Sequence, residues 1–212
     1  MGTEATIGKA ADASATSILF ILLSPVGDYF SVSSNALRLM LEVDEMRCAP
    51  HMGMIKTGGN YASALRPITA ARQSFQADQV LFCPAGDVQE TGAANFILID
   101  DGEIITKALD RTFLHGITRD SVLTLARDLG MKVSERTLSV TELLERAAKP
   151  STEAALSGTA AVLAPVGVLI YQGREITVGS GQEGPITRKL RRTLNSIQCG
   201  GLPDTHDWLT TV

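Results

Sequence analysis

Asp100-Asp101-Gly102 stands between the runs Asn95 to Ile99 and Glu103 to Thr106, and no other stretch constrains the fold so strongly. A tight loop of this kind joins two antiparallel strands, because its central residues take positive φ, which aspartate tolerates and glycine prefers. At least one antiparallel pair is therefore expected near the middle of the chain. Further strands are predicted at Leu37 to Val43, Val80 to Phe82, Lys132 to Leu138, Ala161 to Tyr171 and Glu175 to Val178. Residues 17–23, with the apolar run Ile18 to Leu23, read as a buried strand ending in the turn Ser24-Pro25-Val26-Gly27.

The helices are marked by their ends. Thr118 to Leu129 has a threonine N-cap, Asp120 in the first turn and Gly130 as terminator. Ser139, with Glu142 three residues on, has the form of a capping box. Pro185 to about Gln198 begins on a favoured first-turn proline and stops at Gly200-Gly201. Tyr61 to about Phe75 has helical spacing, with Leu65, Ile68, Ala71 and Phe75 on one face. Strands and helices mix without a strict βαβ rhythm. The fold class is therefore α+β (mixed α/β) rather than doubly wound.

Composition narrows the function classes. Apolar residues make up 44% and charged residues 20% of 212, as in a soluble globular protein. A net charge of −4 argues against nucleic acid or an anionic membrane as partner. Cys48, Cys83 and Cys199 are odd in number and widely spaced, which fits a reducing compartment and excludes a disulfide framework. The run Ile18 to Leu23 is too short to span a bilayer, and no clear cleavage site follows it, so the expected location is cytoplasmic. His51, His115 and His206 lack metal-ligand spacing, so no metal is expected. The basic run Arg188 to Arg192 reads as a solvated helix face.

The chemistry centres on Ile55-Lys56-Thr57-Gly58-Gly59-Asn60-Tyr61. A lysine amine, when neutral, forms an imine with an aldehyde. The adjoining glycines would let the backbone turn or approach a planar group closely. Tyr61 offers a hydroxyl to a phenolic oxygen. Alone, such a stretch reads as a solvated turn. Glu90-Thr91-Gly92-Ala93-Ala94-Asn95-Phe96, Leu114-His115-Gly116-Ile117-Thr118-Arg119 and Ser157-Gly158-Thr159-Ala160-Ala161 change that reading.

In this order and spacing the four stretches resemble the class IV aminotransferases, which use pyridoxal 5'-phosphate, and more narrowly the branched-chain amino acid aminotransferases. The resemblance covers roughly residues 17–212 and implies a large cofactor-binding domain there, after a disordered terminus at 1–16. It implies that Lys56 holds the cofactor as an imine and later carries the proton between the substrate Cα and the cofactor. Tyr61 would lie near the phenolic oxygen, and Glu90 would face the pyridine nitrogen. The backbone N–H of Ile117, together with Thr118 and Thr159, would bind the phosphate, and the Thr159-Ala160 backbone would meet the substrate carboxylate. The implied reaction moves the amino group of leucine, isoleucine or valine to 2-oxoglutarate, in a homodimer.

The class pattern continues through Ile104-x-Thr106 and Arg119, and the branched-chain subgroup through Pro165-Val166, Gly184-Pro185 and Asp204-x-His206-x-Trp208. Two positions depart from it. Ile97 stands where the family has an aromatic, which is expected to cost packing, and Ala49-Pro50-His51-Met52-Gly53 replaces a glycine-richer loop before the lysine. A D-amino acid aminotransferase or an aminodeoxychorismate lyase shares the fold and is the first alternative. The second is a chain that only binds cofactor or dimerises. The resemblance implies a smaller N-terminal domain with a phosphate-binding arginine, which is expected to be largely absent from these 212 residues.

Overall fold

The computed structural model describes residues 15–25 and 36–210. Its strands and helices alternate as β1 (Leu37–Glu42), α1 (Gly58–Phe75), β2 (Gln79–Phe82), β3 (Asn95–Asp100), β4 (Glu103–Thr106), α2 (Ile117–Asp128), β5 (Lys132–Glu135), α3 (Val140–Ala147), β6 (Glu153–Gly158), β7 (Val162–Tyr171), β8 (Arg174–Thr177) and α4 (Pro185–Gln198). All eight strands join one sheet in the order β2-β1-β7-β6-β3-β4-β5, with β8 paired to β7. β1 lies parallel to β2 and β7, and β4 parallel to β5, while the other pairs are antiparallel. The expected mixed class is thus the observed one.

The expected hairpin joins β3 to β4, and Asp101 and Gly102 take positive φ of 50° and 75°. β7 is long enough to serve two partners on one side, β6 along its first half and β8 along its second. Pro165 causes no break, because the pairing with β1 starts only at Val166.

Alternation along β3 divides the core. Phe96 and Leu98 join a cluster built from β1, β6, β7 and α3, whereas Ile97 and Ile99 pack under α2 and α4. Ile97, the departure from the family aromatic, is fully buried there. A third cluster seats Ala64 and Ala71 of α1 on Val80 and Phe82.

Several expectations require correction. Ile18 to Leu23 is not a buried strand: its side chains are 47–90% exposed, since among the described residues no strand or helix covers it. Val26 and Gly27 of the expected turn, and most of the 1–16 terminus, lie outside the described residues. On α1 the buried face is Asn60, Ala64, Pro67 and Ala71, with Leu65 and Phe75 exposed. Small residues win that face because the helix approaches the chain closely at Gly92, where a Cβ would stand 2.6 Å from Ile68 Cδ1. β6 was not expected at all, and the predicted strand at Lys132 to Leu138 ends at Glu135.

The helix ends follow local chemistry with one exception. Ser139 Oγ accepts the Glu142 N–H at 3.1 Å, but the Glu142 carboxylate turns to Arg136 and Arg146 instead of completing the box. α4 begins at Pro185 and ends at Gln198, as read from the sequence. Its N-terminus is held by a group far away in sequence: the buried Glu153 carboxylate accepts the N–H of Ile186 at 3.0 Å and of Thr187 at 2.7 Å. The exception is α2, whose cap stands two residues early: Gly116 is its N-cap, and Thr118 lies inside the first turn. No helix among the described residues is long and apolar enough to cross a membrane.

Candidate active site

Lys56 stands immediately before the N-cap of α1, Thr57. Gly58 and Gly59 form the first helical turn rather than a positive-φ turn, and nothing lies within 4 Å of where their side chains would be. One turn of helix brings Tyr61 back toward the lysine. The Lys56 amine donates to the Tyr61 hydroxyl at 3.0 Å, and its nitrogen lies 5.5 Å from the ring centroid.

Both side chains open into a cavity of about 280 Å³ that is also lined by Ala93, Gly158, Thr159 and Ala160. The last two belong to the exposed turn between β6 and β7. Pairing of β6 with both β3 and β7 places that turn beside the Glu90-to-Asn95 segment. Residues far apart in sequence, expected to share a site, therefore line one cavity.

Glu90 is buried, 2% exposed. Its Oε1 is 2.7 Å from the Arg47 guanidinium and accepts the Leu114 N–H at 2.9 Å. Its Oε2 has a single 3.4 Å contact from the Asn95 amide, whose shorter bond, 2.8 Å, goes to the Leu114 carbonyl. Burial pushes the carboxyl up to about 7, against the pull of Arg47, the Leu114 N–H and the Lys56 ammonium. Arg47 itself is 2% exposed, and its guanidinium carbon lies 5.5 Å from the Tyr61 ring centroid.

The Glu90-to-Asn95 segment is a turn closed by Thr91, whose Oγ1 accepts the Ala94 N–H at 3.0 Å. Asn95 then reaches across to Leu114 and Gly116, so the segment is fastened to the start of α2. Gly116, Ile117 and Thr118 thereby present a helix N-terminus, which favours an anion. Ile117 is 84% exposed and lines a second cavity, of about 750 Å³, together with Leu194 and Trp208. Lys56, Tyr61, Thr159 and Ala160 are thus brought together around one cavity, while Ile117 lines another. Glu90 and Thr118 line neither.

The replaced loop before Lys56 packs in part against the Thr112 backbone. His51 is exposed, and Gly53 lies so close to Thr112 that a Cβ there would fall 2.1 Å from a backbone carbon. Among the described residues no acidic, histidine or cysteine cluster could hold a metal. His206 stacks on Trp208 and bonds Asp128 at 2.7 Å, which docks the C-terminal segment on α2. Sequence reasoning passed over Arg47 and Glu153. Each lies in a polar stretch, and its importance depends on a partner supplied by the fold.

Residues 2–168 match the family described as amino-transferase class IV. The chain belongs to the class IV aminotransferases. Among curated relatives it is 38% identical over 200 residues to a probable branched-chain-amino-acid aminotransferase of Staphylococcus epidermidis, covering 92% of this chain and 56% of the relative. The branched-chain amino acid aminotransferase of Escherichia coli matches with a TM-score of 0.71 at 31% identity, over 84% of this chain and 57% of that one. A branched-chain aminotransferase of Thermobaculum terrenum in its PLP form matches with a TM-score of 0.71 at 28% identity, over 84% and 56%. This class IV aminotransferase chain therefore spans little more than half the length of the relatives it matches.

Proposed function

We propose that residues 17–212 form the cofactor-binding large domain of a branched-chain amino acid aminotransferase, which moves the amino group of leucine, isoleucine or valine to 2-oxoglutarate at a pyridoxal 5'-phosphate site. The observation that carries this reading is the 3.0 Å contact between the Lys56 amine and the Tyr61 hydroxyl, in a cavity shared with Thr159 and Ala160. The kinds of group present suit the cofactor, although Lys56, Tyr61 and Thr159 line one cavity and Ile117 another. An amine is present for the aldehyde, a hydroxyl for the phenolic oxygen, a carboxylate for the ring nitrogen and a helix N-terminus for the phosphate. When bound, the cofactor supplies an electron sink for negative charge at the substrate Cα.

The chain's own residues then have separable tasks. Lys56 moves a proton to and from Cα as general base and acid. Tyr61 keeps the lysine nitrogen oriented. Glu90 holds a proton at the ring nitrogen. The N–H groups of Ile117 and Thr118, with the Thr159 hydroxyl, bind phosphate oxygens, and the Thr159-Ala160 backbone orients the substrate carboxylate. The branched-chain preference is supported by the relatives and by the Asp204-x-His206-x-Trp208 segment docked on α2. A cytoplasmic setting fits the three free cysteines, Cys48, Cys83 and Cys199. A second copy of the chain as partner is supported by the exposed apolar run Ile18 to Leu23.

One observation favours a second reading, in which the chain holds cofactor with little turnover. Lys56, Thr159 and Ala160 are all exposed, and a wet site weakens the electrostatic stabilisation that transamination uses. The deciding experiment has two stages. Incubation with pyridoxal 5'-phosphate, borohydride reduction and peptide mapping should place the label on Lys56; a label elsewhere refutes the site. A coupled assay with leucine and 2-oxoglutarate then separates an active enzyme from a cofactor-holding chain.

A further inference from the structure

We propose that Arg47 is a positioning residue for Glu90, holding one carboxylate oxygen so that the other is presented to the ring nitrogen of the cofactor. The inference rests on the functional reading above and adds a residue that the reading does not contain. Arg47 lies within the matched residues 2–168 but outside the four motif stretches quoted above.

The two oxygens of Glu90 differ sharply in their partners. Oε1 takes the Arg47 Nη1 at 2.7 Å and the Leu114 N–H at 2.9 Å. Oε2 has only the 3.4 Å contact from Asn95, and that amide donates its better bond to the Leu114 carbonyl. A buried carboxylate oxygen so poorly supplied is costly unless a donor arrives. A protonated ring nitrogen is such a donor, and the asymmetry leaves Oε2 for it.

Arg47 is itself fixed from several sides. Its Nε donates to the Gly92 carbonyl at 3.4 Å, and its own carbonyl accepts the Ser63 hydroxyl from α1 at 2.5 Å. Its guanidinium carbon lies 5.5 Å from the centroid of the Tyr61 ring. One buried side chain therefore touches the acid proposed for the ring nitrogen and the ring that carries the hydroxyl beside Lys56. Glu90 is its ion-pair partner, and a planar fork can hold the carboxylate and the Gly92 carbonyl together where an ammonium cannot.

Arg47→Met and Arg47→Lys separate positioning from simple structural support. The full chain is loaded with pyridoxal 5'-phosphate, and its visible absorption is followed against pH and against cofactor concentration; circular dichroism without cofactor reports folding. Arg47→Met removes a positive charge next to Glu90, so protons are held more tightly. The absorption change should move upward by about one pH unit, a tenfold change in proton affinity, and cofactor affinity should fall about tenfold. Arg47→Lys keeps the charge and loses the fork, so its absorption change should stay near that of the wild type while affinity falls about threefold. A folded Arg47→Met with the pH profile and affinity of the wild type overturns the proposal. If Arg47→Met does not fold, a folded Arg47→Lys with the affinity of the wild type overturns it. A wild-type chain with no bound-cofactor absorption overturns the functional reading and this inference with it, whereas a normal wild type and an indifferent Arg47→Met overturn this inference alone.

Discussion

Asn95 occupies the space that a side chain at Gly116 would need: a Cβ at position 116 would stand 2.1 Å from Asn95 Oδ1. The amide nitrogen of the same Asn95 is bonded to the Leu114 carbonyl at 2.8 Å, so the side chain cannot swing away without breaking that bond. This contact couples the turn that carries Glu90 to the N-terminus of α2.

Gly116→Ala should therefore destabilise the protein although the N-cap backbone there, φ −71° and ψ 128°, suits alanine. The expected loss is about 1–3 kcal/mol, from overpacking and a broken buried hydrogen bond. Adding Asn95→Ala removes the clash, so the double variant should be less destabilised than the sum of the two singles. Urea unfolding of all four proteins measures the coupling; strict additivity would show that Asn95 is not what the new methyl meets.

Glu153 gives a second test of a contact between distant residues. Among the described residues its carboxylate is the only side-chain acceptor for the first N–H groups of α4, at 3.0 and 2.7 Å. Glu153→Ala strands those buried donors and should cost about 2 kcal/mol, with Glu153→Gln costing less because its amide oxygen still accepts. Protection of the Ile186 and Thr187 amides against hydrogen exchange should fall in the alanine variant. If protection is unchanged, another group caps the helix.

What was legible in the sequence was written in short-range chemistry. The Asp101-Gly102 hairpin, the Ser139 cap and the Pro185 start each depend on neighbouring residues, and each was found as read. β6 was missed because Glu153-Ala154-Ala155-Leu156-Ser157-Gly158 has little strand propensity of its own; its pairing with β3 and β7 makes it a strand. Ile18 to Leu23 erred the other way, since an apolar run is buried only where a neighbour covers it. Thr118 was taken as a cap on residue type alone, while Gly116 holds the cap position. At the site, Lys56, Tyr61, Thr159 and Ala160 are named by the family resemblance of their stretches, and they share a cavity. Arg47 was invisible, because its meaning depends on Glu90, and only the fold brings the two together.

The Glu90 carboxyl also makes stability depend on pH. In the unfolded chain it releases its proton near 4.5, whereas in the fold burial holds the proton to about 7. Between these values the folded state binds more protons than the unfolded state, so stability falls as pH rises. The contribution is fully present below 4.5 and fully lost above 7, a change of about 3 kcal/mol at 1.36 kcal/mol per unit. Glu90→Gln lacks this slope. The unfolding free energy of the wild type minus that of Glu90→Gln should therefore fall by about 2–3 kcal/mol from pH 5 to pH 8. A constant difference across the range would mean that Glu90 titrates normally in the fold.

Tyr61 and Lys56 should separate orientation from covalent chemistry. The Tyr61 hydroxyl accepts from the Lys56 amine at 3.0 Å, while the ring packs near Arg47, so Tyr61→Phe removes one contact and keeps the other. A hydrogen bond to a charged group contributes about 1.5–3 kcal/mol, which corresponds to roughly a tenfold to hundredfold loss in the step it supports. Tyr61→Phe should still be labelled at position 56 by pyridoxal 5'-phosphate and borohydride, because the amine remains. Cofactor affinity should fall by about tenfold as the hydroxyl loses its phenolic partner. Lys56→Ala should abolish the label while leaving the unfolding free energy within about 0.5 kcal/mol of the wild type, since this lysine is exposed and packs against no core cluster. Borohydride labelling, a cofactor titration and urea unfolding on the same three proteins decide the matter. If Tyr61→Phe binds cofactor as the wild type does, the hydroxyl contributes nothing to the site and the tyrosine is there for its ring.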